Sequence, residues 1–138
     1  MIKMKYLNFR NPVFLHTMAK IARCPIKDPK ALYNALRISK KVTSEGRQAE
    51  EVFMRLLKQH AVLDAAGGIL PIEDKPGTYQ IKEESKGEWE QKIKDYMDIE
   101  WEMERYPLKL ADISAANLTP EELHAIEEIL DLEDLSTL

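Results

Sequence analysis

The side chains best suited to chemistry in this sequence are three histidines, one cysteine and a large set of carboxylates. His16, His60 and His124 stand far from one another and from Cys24, so no pair has the short spacing typical of a zinc site. No histidine stands beside Cys24 in sequence to lower the pKa of its thiol, and we interpret this cysteine as a packing residue before Pro25. The histidines are interpreted as surface or packing residues in the same way.

Glycines and carboxylates give no stronger signal for catalysis. Gly67 and Gly68 lack the neighbouring glycine, lysine and hydroxyl positions of a phosphate-binding loop. Glu100, Glu102 and Glu104 alternate with apolar residues, a pattern that turns carboxylates toward water on one face of a strand. We therefore predict a protein that is not an enzyme and has no metal or cofactor. The alternative is an enzyme whose site is assembled from scattered carboxylates.

Charge is divided unequally between the two halves of the chain, although the net charge is only −4. Residues 1–60 contain 13 basic and 4 acidic side chains, whereas residues 61–138 contain 7 and 20. Three interpretations follow: the halves neutralise each other, the basic half binds nucleic acid or another acidic surface, or opposite ends of two copies attract. Internal neutralisation needs no partner, and it is the interpretation we favour.

The composition is typical of one soluble globular domain, with 138 residues, 44% hydrophobic and 32% charged. No run of about eighteen apolar residues could cross a bilayer. The start of the chain alternates apolar and basic residues, unlike a signal peptide. We predict a single domain over residues 1–138 that is located in the cytoplasm and has no membrane partner. Its acidic tail at 131–138 is either a frayed last turn or a short segment that docks in a partner's groove.

The longest predicted element is a helix from Asp28 to Leu63. Asp28 followed by Pro29 is typical of a helix start, because the carboxylate accepts amide hydrogens of the first turn and proline is well suited to the first helical position. Gly67 and Gly68 indicate its end. Apolar residues between these points recur at spacings of three, four and seven, which predicts one buried stripe. The stripe consists of Leu32, Ala35, Leu36, Val42, Ala49, Val52, Phe53, Leu56, Leu57, Ala61 and Leu63.

This helix is too long for the globule that the chain could form. Unbroken, it spans roughly 54 Å, whereas a compact chain of this size has a diameter of about 37 Å. The segment Thr43–Gly46 could break it, since a β-branched residue, a capping hydroxyl and a glycine stand together there. The stripe keeps its phase across the segment, so we favour one continuous helix. In that case Gly46 marks the close approach of another helix backbone, and an uncovered apolar end predicts self-association.

Two strands of opposite charge are predicted to pair. Lys3 and Lys5 alternate with apolar residues at the start of the chain. The three glutamates of the strand Ile99–Met103 and its continuation repel one another unless cations lie on the neighbouring strand. No other predicted strand carries such cations, and we expect these two strands to be neighbours.

The remaining elements are shorter. Capping signals predict helices that begin at Asn11-Pro12, at Ser85 with Glu88, and at Thr119-Pro120 with Glu122. Two short strands, 69–72 and 78–81, are predicted around the Pro76-Gly77 turn. The fold class is therefore α+β: one long central helix and three or four shorter helices, packed on a small, mostly antiparallel sheet of about four strands.

The outer side of the long helix is the best candidate for a binding surface. Basic residues recur there at spacings near three, four and seven, which permits a basic stripe for nucleic acid or for an acidic protein. Glu45, Glu50 and Glu51 interrupt the stripe and no aromatic residue interleaves with it. The candidate partner-binding residues are Arg37, Lys40, Lys41, Gly46, Arg47, Phe53, Arg55 and Lys58.

One resemblance adds a setting. It is carried by Leu15, Met18 and Ile21, the long helix, the strand at 99–102 and the segment from Tyr106 to Leu123. Together these features resemble small proteins encoded by tailed bacteriophages. The resemblance implies infected bacterial cytoplasm, or the virion, and transfers no catalytic or binding residue. We predict a non-enzymatic phage protein that binds another protein or itself, as a virion or assembly component or an inhibitor of a host protein. The alternative is a nucleic-acid-associated protein.

Overall fold

The computed structural model describes residues 1–72 and 78–130. It combines one long helix, three shorter α-helices, three 3-10 helices and a two-stranded sheet. In chain order the elements are strand β1 (Ile2–Lys5), a 3-10 helix (Tyr6–Arg10), helices α1 (Pro12–Arg23) and α2 (Pro29–His60), a 3-10 helix (Glu83–Ser85), helix α3 (Lys86–Met97), strand β2 (Glu100–Met103), a 3-10 helix (Leu110–Ala116) and helix α4 (Pro120–Ile126). The α+β class and the long helix are as predicted.

Strands β1 and β2 form an antiparallel pair, which confirms the pairing predicted from their opposite charges. The register places Lys3 opposite Glu102 and Lys5 opposite Glu100. The apolar residues of both strands face the core, and the charged residues face solvent. Lys5 makes its ion pair with Asp98, at 3.4 Å, just before β2.

The predicted sheet of about four strands is wrong for the described residues, where the sheet has two. The segments at 69–72 and 78–81 make isolated bridges instead: Ala61 with Ile81, Leu63 with Ile69, and Pro71 with Tyr79. Their backbone hydrogen bonds form a closed ring in which Val62 donates to Gln80, Gln80 to Leu70, and Leu70 to Val62. Because these three short segments hydrogen-bond to one another in a ring, they do not form the continuous row of backbone hydrogen bonds that a sheet requires. The predicted turn at Pro76-Gly77 lies outside the described residues.

Helix α2 begins where the sequence predicts. The Asp28 carboxylate accepts a hydrogen bond from the Ala31 amide at 2.8 Å, and Pro29 is the first helical residue. The helix continues without interruption through Thr43–Gly46 for 32 residues, a length of about 48 Å. Continuity is therefore confirmed. No helix in the described ranges is both long enough and apolar enough to cross a membrane.

The end of α2 comes three residues earlier than predicted, at His60. Tertiary pairing ends it, because the His60 carbonyl accepts the Lys82 amide at 2.9 Å and the chain continues in extended conformation. The glycines belong to a later turn. Gly67 has a φ of 84°, and the Asp64 carboxylate accepts the amide of Gly68 at 2.8 Å.

The core-facing stripe of α2 is buried from one end of the helix to the other. Its members are Ala31, Asn34, Ala35, Ile38, Val42, Ala49, Phe53, Leu57 and His60. Near the start, Asn34 Nδ2 donates to the Pro107 carbonyl at 2.8 Å. Near the end, the rings of Phe53 and Tyr96 lie 5.6 Å apart. Within the described residues this stripe has no uncovered end, so the stripe itself gives no reason to predict self-association.

Three leucines predicted to be buried in the stripe are exposed. Leu32, Leu36 and Leu63 are 39%, 54% and 41% exposed. Leu63 lies beyond the helix. The core positions on this part of α2 are 31, 35, 38 and 42. Leu32 and Leu36 each follow a core position by one residue, and neighbouring residues of a helix point in different directions, so these leucines lie on the flank of the stripe.

The other predicted helices differ in their caps. Asn11 caps α1, accepting the Val13 amide at 3.1 Å. Helix α3 begins after Ser85 as predicted, but the Ser85 side chain makes no capping hydrogen bond, so the predicted capping box there is wrong. Ser85 itself adopts a helical backbone conformation because a 3-10 turn leads directly into α3.

Phe9 is the centre of an aromatic cluster in the core. Its ring stacks on Trp101, with centroids 5.5 Å apart, and meets the edges of Tyr6 and Phe14. These residues come from β2, from α1 and from the 3-10 helix that follows β1. The cluster therefore joins the sheet to the helices.

Candidate partner-binding groove

A shallow apolar groove lies between α1 and α2. Its cavity volume is about 240 Å³. Small side chains line both walls, so the helices leave space between them that their own residues do not fill. The lining residues are Leu15, Met18, Ala19 and Ala22 of α1, Ser39, Val42, Thr43 and Gly46 of α2, and Phe9.

Each wall of the groove has the spacing of a helix-packing surface. On α1, residues 15, 19 and 22 follow one another by four and three. On α2, residues 32, 36, 39, 43 and 46 alternate spacings of four and three. This is the repeat that a neighbouring helix needs for knobs-into-holes packing. Helix α2 thus carries a second stripe beside the core-facing one.

Exposed leucines stand along the groove. Leu15 on α1 is 46% exposed, and Leu36 and Leu32 on α2 continue the second stripe beyond Ser39. On this surface the small residues leave recesses, and the leucines project beside them. A contiguous apolar strip of this kind typically marks an interaction site.

The floor of the groove depends on Gly46. A Cβ atom at this position would lie 3.3 Å from Cε1 of Phe9, closer than an ordinary contact. The predicted close approach at Gly46 therefore exists, but the neighbour is an aromatic ring and not a helix backbone. A larger side chain at position 46 would displace the Phe9 ring or fill the floor of the groove.

Of the predicted partner-binding residues, Gly46 lines this groove and Phe53 does not. Phe53 is only 6% exposed. It packs against Trp89 and Tyr96, and the guanidinium of Arg10 lies 3.9 Å from its ring centre. Phe53 is part of the core-facing stripe, so its selection as a contact residue is wrong.

The basic candidates lie outside the core-facing stripe, and some are engaged within the chain. Arg37 donates to the Tyr33 hydroxyl at 2.6 Å, and its guanidinium lies 4.8 Å from the ring centre of Tyr106. Lys41 pairs with Glu45 at 3.1 Å, one turn further along α2.

Arg55 is also paired, with Glu51 at 2.8 Å. Lys40, Arg47 and Lys58 are exposed and make no ion pair within the described residues. Lys40 and Arg47 stand next to the groove, since they follow Leu36 and Thr43 by four residues. Lys58 lies more than two turns beyond Gly46.

The two halves of the chain do meet through charge, as internal neutralisation predicts. Lys20 of α1 donates to Glu122 of α4 at 2.9 Å, and His16 Nε2 lies 3.9 Å from the other carboxylate oxygen. Glu122 also closes the predicted capping box, accepting the Thr119 amide at 3.0 Å. The Thr119 amide and the Lys20 ammonium lower the pKa of Glu122 to about 2.

This depressed pKa predicts a specific loss of stability in acid. The usual pKa of a glutamate is 4.5, so the contribution of the Glu122 charge is complete above that pH and is lost as pH falls toward 2. We expect the melting temperature of the wild type to exceed that of Glu122→Gln at pH 7, and the two to converge by about pH 2. Thermal unfolding followed by circular dichroism across this range measures it. A difference that persists unchanged at pH 2 would contradict the assignment.

The residues considered for chemistry lie apart. His60 is buried beside Trp89, Cys24 is buried, and His16 and His124 are exposed. In residues 1–72 and 78–130, no group of three or more histidine, cysteine or acidic side chains could hold a metal ion.

Comparison with protein families, with curated proteins and with solved structures gives no match to this chain. The groove was not evident from the sequence, because the small residues at 19, 22, 39 and 43 indicate a surface only once α1 and α2 are known to be adjacent. The available signal was the 4-3 spacing from Leu32 to Gly46.

Proposed function

We propose that this chain is a non-enzymatic protein-binding protein that holds one helix of a partner in the groove between α1 and α2. The observation that supports the proposal is the pair of 4-3 spaced walls, with holes of small residues and exposed leucines on one surface. Amphipathic helices bind other proteins in apolar grooves of this type.

The magnitudes favour a partner that contributes apolar side chains of its own. Full burial of a leucine contributes about 1.5–3 kcal/mol, and Leu15, Leu32 and Leu36 are about half exposed, so each contributes roughly 1 kcal/mol. Association costs about 4 kcal/mol or more. The leucines alone do not reach this value, so side chains of the partner must fill the holes.

A second copy of the chain fits the groove less well. Two grooves facing each other across a twofold axis would bring Lys40 and Arg47 of one copy near the same residues, or Arg23, of the other. Like charges so placed cost binding energy. We therefore propose a different protein as the partner, and the resemblance to phage proteins implies a phage or host protein in the bacterial cytoplasm or the virion.

Filling the groove tests the proposal. Thr43 is exposed, so Thr43→Trp should fold normally and occupy the space between the helices. We expect it to weaken binding of a leucine-heptad helical peptide by about tenfold or more. Fluorescence anisotropy of the labelled peptide measures the affinity, and Thr43→Val is the matched control. Equal affinity for wild type and Thr43→Trp would exclude the groove.

Nucleic-acid binding is a second candidate, because Lys40, Arg47 and Lys58 project from α2 without ion-pair partners in the described residues. Arg37, Lys41 and Arg55 are already engaged, which reduces the available charge. A gel shift of DNA or RNA that weakens steeply with salt would favour it, and no shift at low salt would exclude it.

A further inference from the structure

The rims of the groove carry positive charge on both helices. On α1, Arg23 follows Ala19 by four residues, and its Nε donates to the Ala19 carbonyl at 3.2 Å, which holds the side chain at the edge of the groove. On α2, Lys40 lies between Leu36 and Thr43, and Arg47 lies one turn beyond Thr43. A helix seated between the walls would therefore have basic side chains on both sides.

Among residues 1–72 and 78–130, the acidic side chains near the groove do not balance this charge. Glu50 follows Gly46 by four residues, but its carboxylate accepts a hydrogen bond from Arg10 at 3.2 Å. Glu45 does not line the groove and pairs with Lys41 at 3.1 Å. His16, next to Leu15 on α1, faces Glu122 of α4 at 3.9 Å. Within the part of the chain that the structure describes, the charge that meets an occupant is thus mainly that of Arg23, Lys40 and Arg47.

We infer that the partner helix is acidic, with glutamate or aspartate on both flanks of an apolar stripe. This inference rests on the proposed function and specifies the chemistry of its partner. The apolar walls select the leucine-type stripe of the helix, and the basic rims select its flanks. Rim charges act mainly on the rate of association and on specificity, and their effect decreases with salt.

Three peptides that share one leucine heptad stripe test the inference on the wild-type protein. Their flanking positions are all glutamate, all glutamine or all lysine. We expect the glutamate peptide to bind about tenfold more tightly than the glutamine peptide at low salt, and the lysine peptide to bind weakest. The preference should shrink several-fold as salt rises from about 0.01 M to 1 M, because the screening length falls from about 30 Å to 3 Å.

Charge reversal at the rim supplies a second measurement. The double variant Lys40→Glu/Arg47→Glu should lose the preference for the glutamate peptide, while Lys58→Glu, on the same helix beyond the groove, should keep it. Equal binding of all three peptides would overturn the acidic partner and leave the groove as a site for helices in general. Binding of none would overturn the proposed function as well.

Discussion

Replacing Ser44 with proline is expected to lower the free energy of unfolding by about 3 kcal/mol or more. Ser44 lies in the middle of α2, where its backbone amide takes part in the helix. Proline removes that hydrogen bond and its ring collides with the carbonyl of Lys40, four residues earlier. The side chain of Ser44 is exposed, so the cost comes from the backbone and not from lost packing. Urea denaturation gives the value directly.

Serine to alanine at the same position is the matched control. Alanine has the higher helix propensity, so Ser44→Ala should be neutral or stabilising by about 0.5 kcal/mol. If Ser44→Pro cost less than about 1 kcal/mol, the chain would have to break at Thr43, with residue 44 in the first turn of a second helix, where proline is tolerated. The unfolding free energy of Ser44→Pro therefore distinguishes one continuous helix from two shorter helices.

Removing the ring of Phe9 is expected to cost about 3–5 kcal/mol of stability. Phe9 is buried, stacks on Trp101, meets Tyr6 and Phe14 edge-on, and lies against Gly46. Phe9→Ala would open a cavity where the sheet, α1 and α2 meet, and the lost aromatic pairs, each contributing about 0.5–1.5 kcal/mol, are included in this total. Thermal and urea unfolding of the variant measure the loss.

Phe9→Leu is the control, because it keeps most of the apolar volume and loses the ring geometry. It should cost clearly less than Phe9→Ala. A loss below about 1 kcal/mol for Phe9→Ala would show that the cluster does not hold these elements together, and that the floor of the groove is not fixed by this ring.

Starts of elements were predictable because they depend on neighbouring residues. Asp28 and Thr119 each cap a helix with a side chain that bonds an amide three residues on. The pairing of β1 and β2 was also predictable, since Lys3 and Lys5 alternate along one predicted strand and the glutamates of β2 need cations opposite them. Local chemistry and charge alternation carry this information in the sequence.

Features that depend on tertiary contacts were not predictable. Helix α2 ends at His60 because that carbonyl pairs with Lys82, which is 22 positions later in the chain. The core-facing and groove-facing stripes of α2 run side by side, and a single sequence merges them, so exposed Leu36 was assigned to the core, and Phe53 was counted both in the buried stripe and among the contact residues. Separating them requires the position of α1.

Backbone NMR during titration with the glutamate-flanked peptide tests most directly whether the groove is the binding surface. The largest amide shifts are predicted at residues 15, 19 and 22 of α1 and at residues 36, 39 and 43 of α2. Little change is predicted at Arg55 and Lys58, on the same helix but beyond the groove. Saturable binding whose largest shifts fall at Arg55 and Lys58, with the α1 amides unmoved, would contradict the groove as the site.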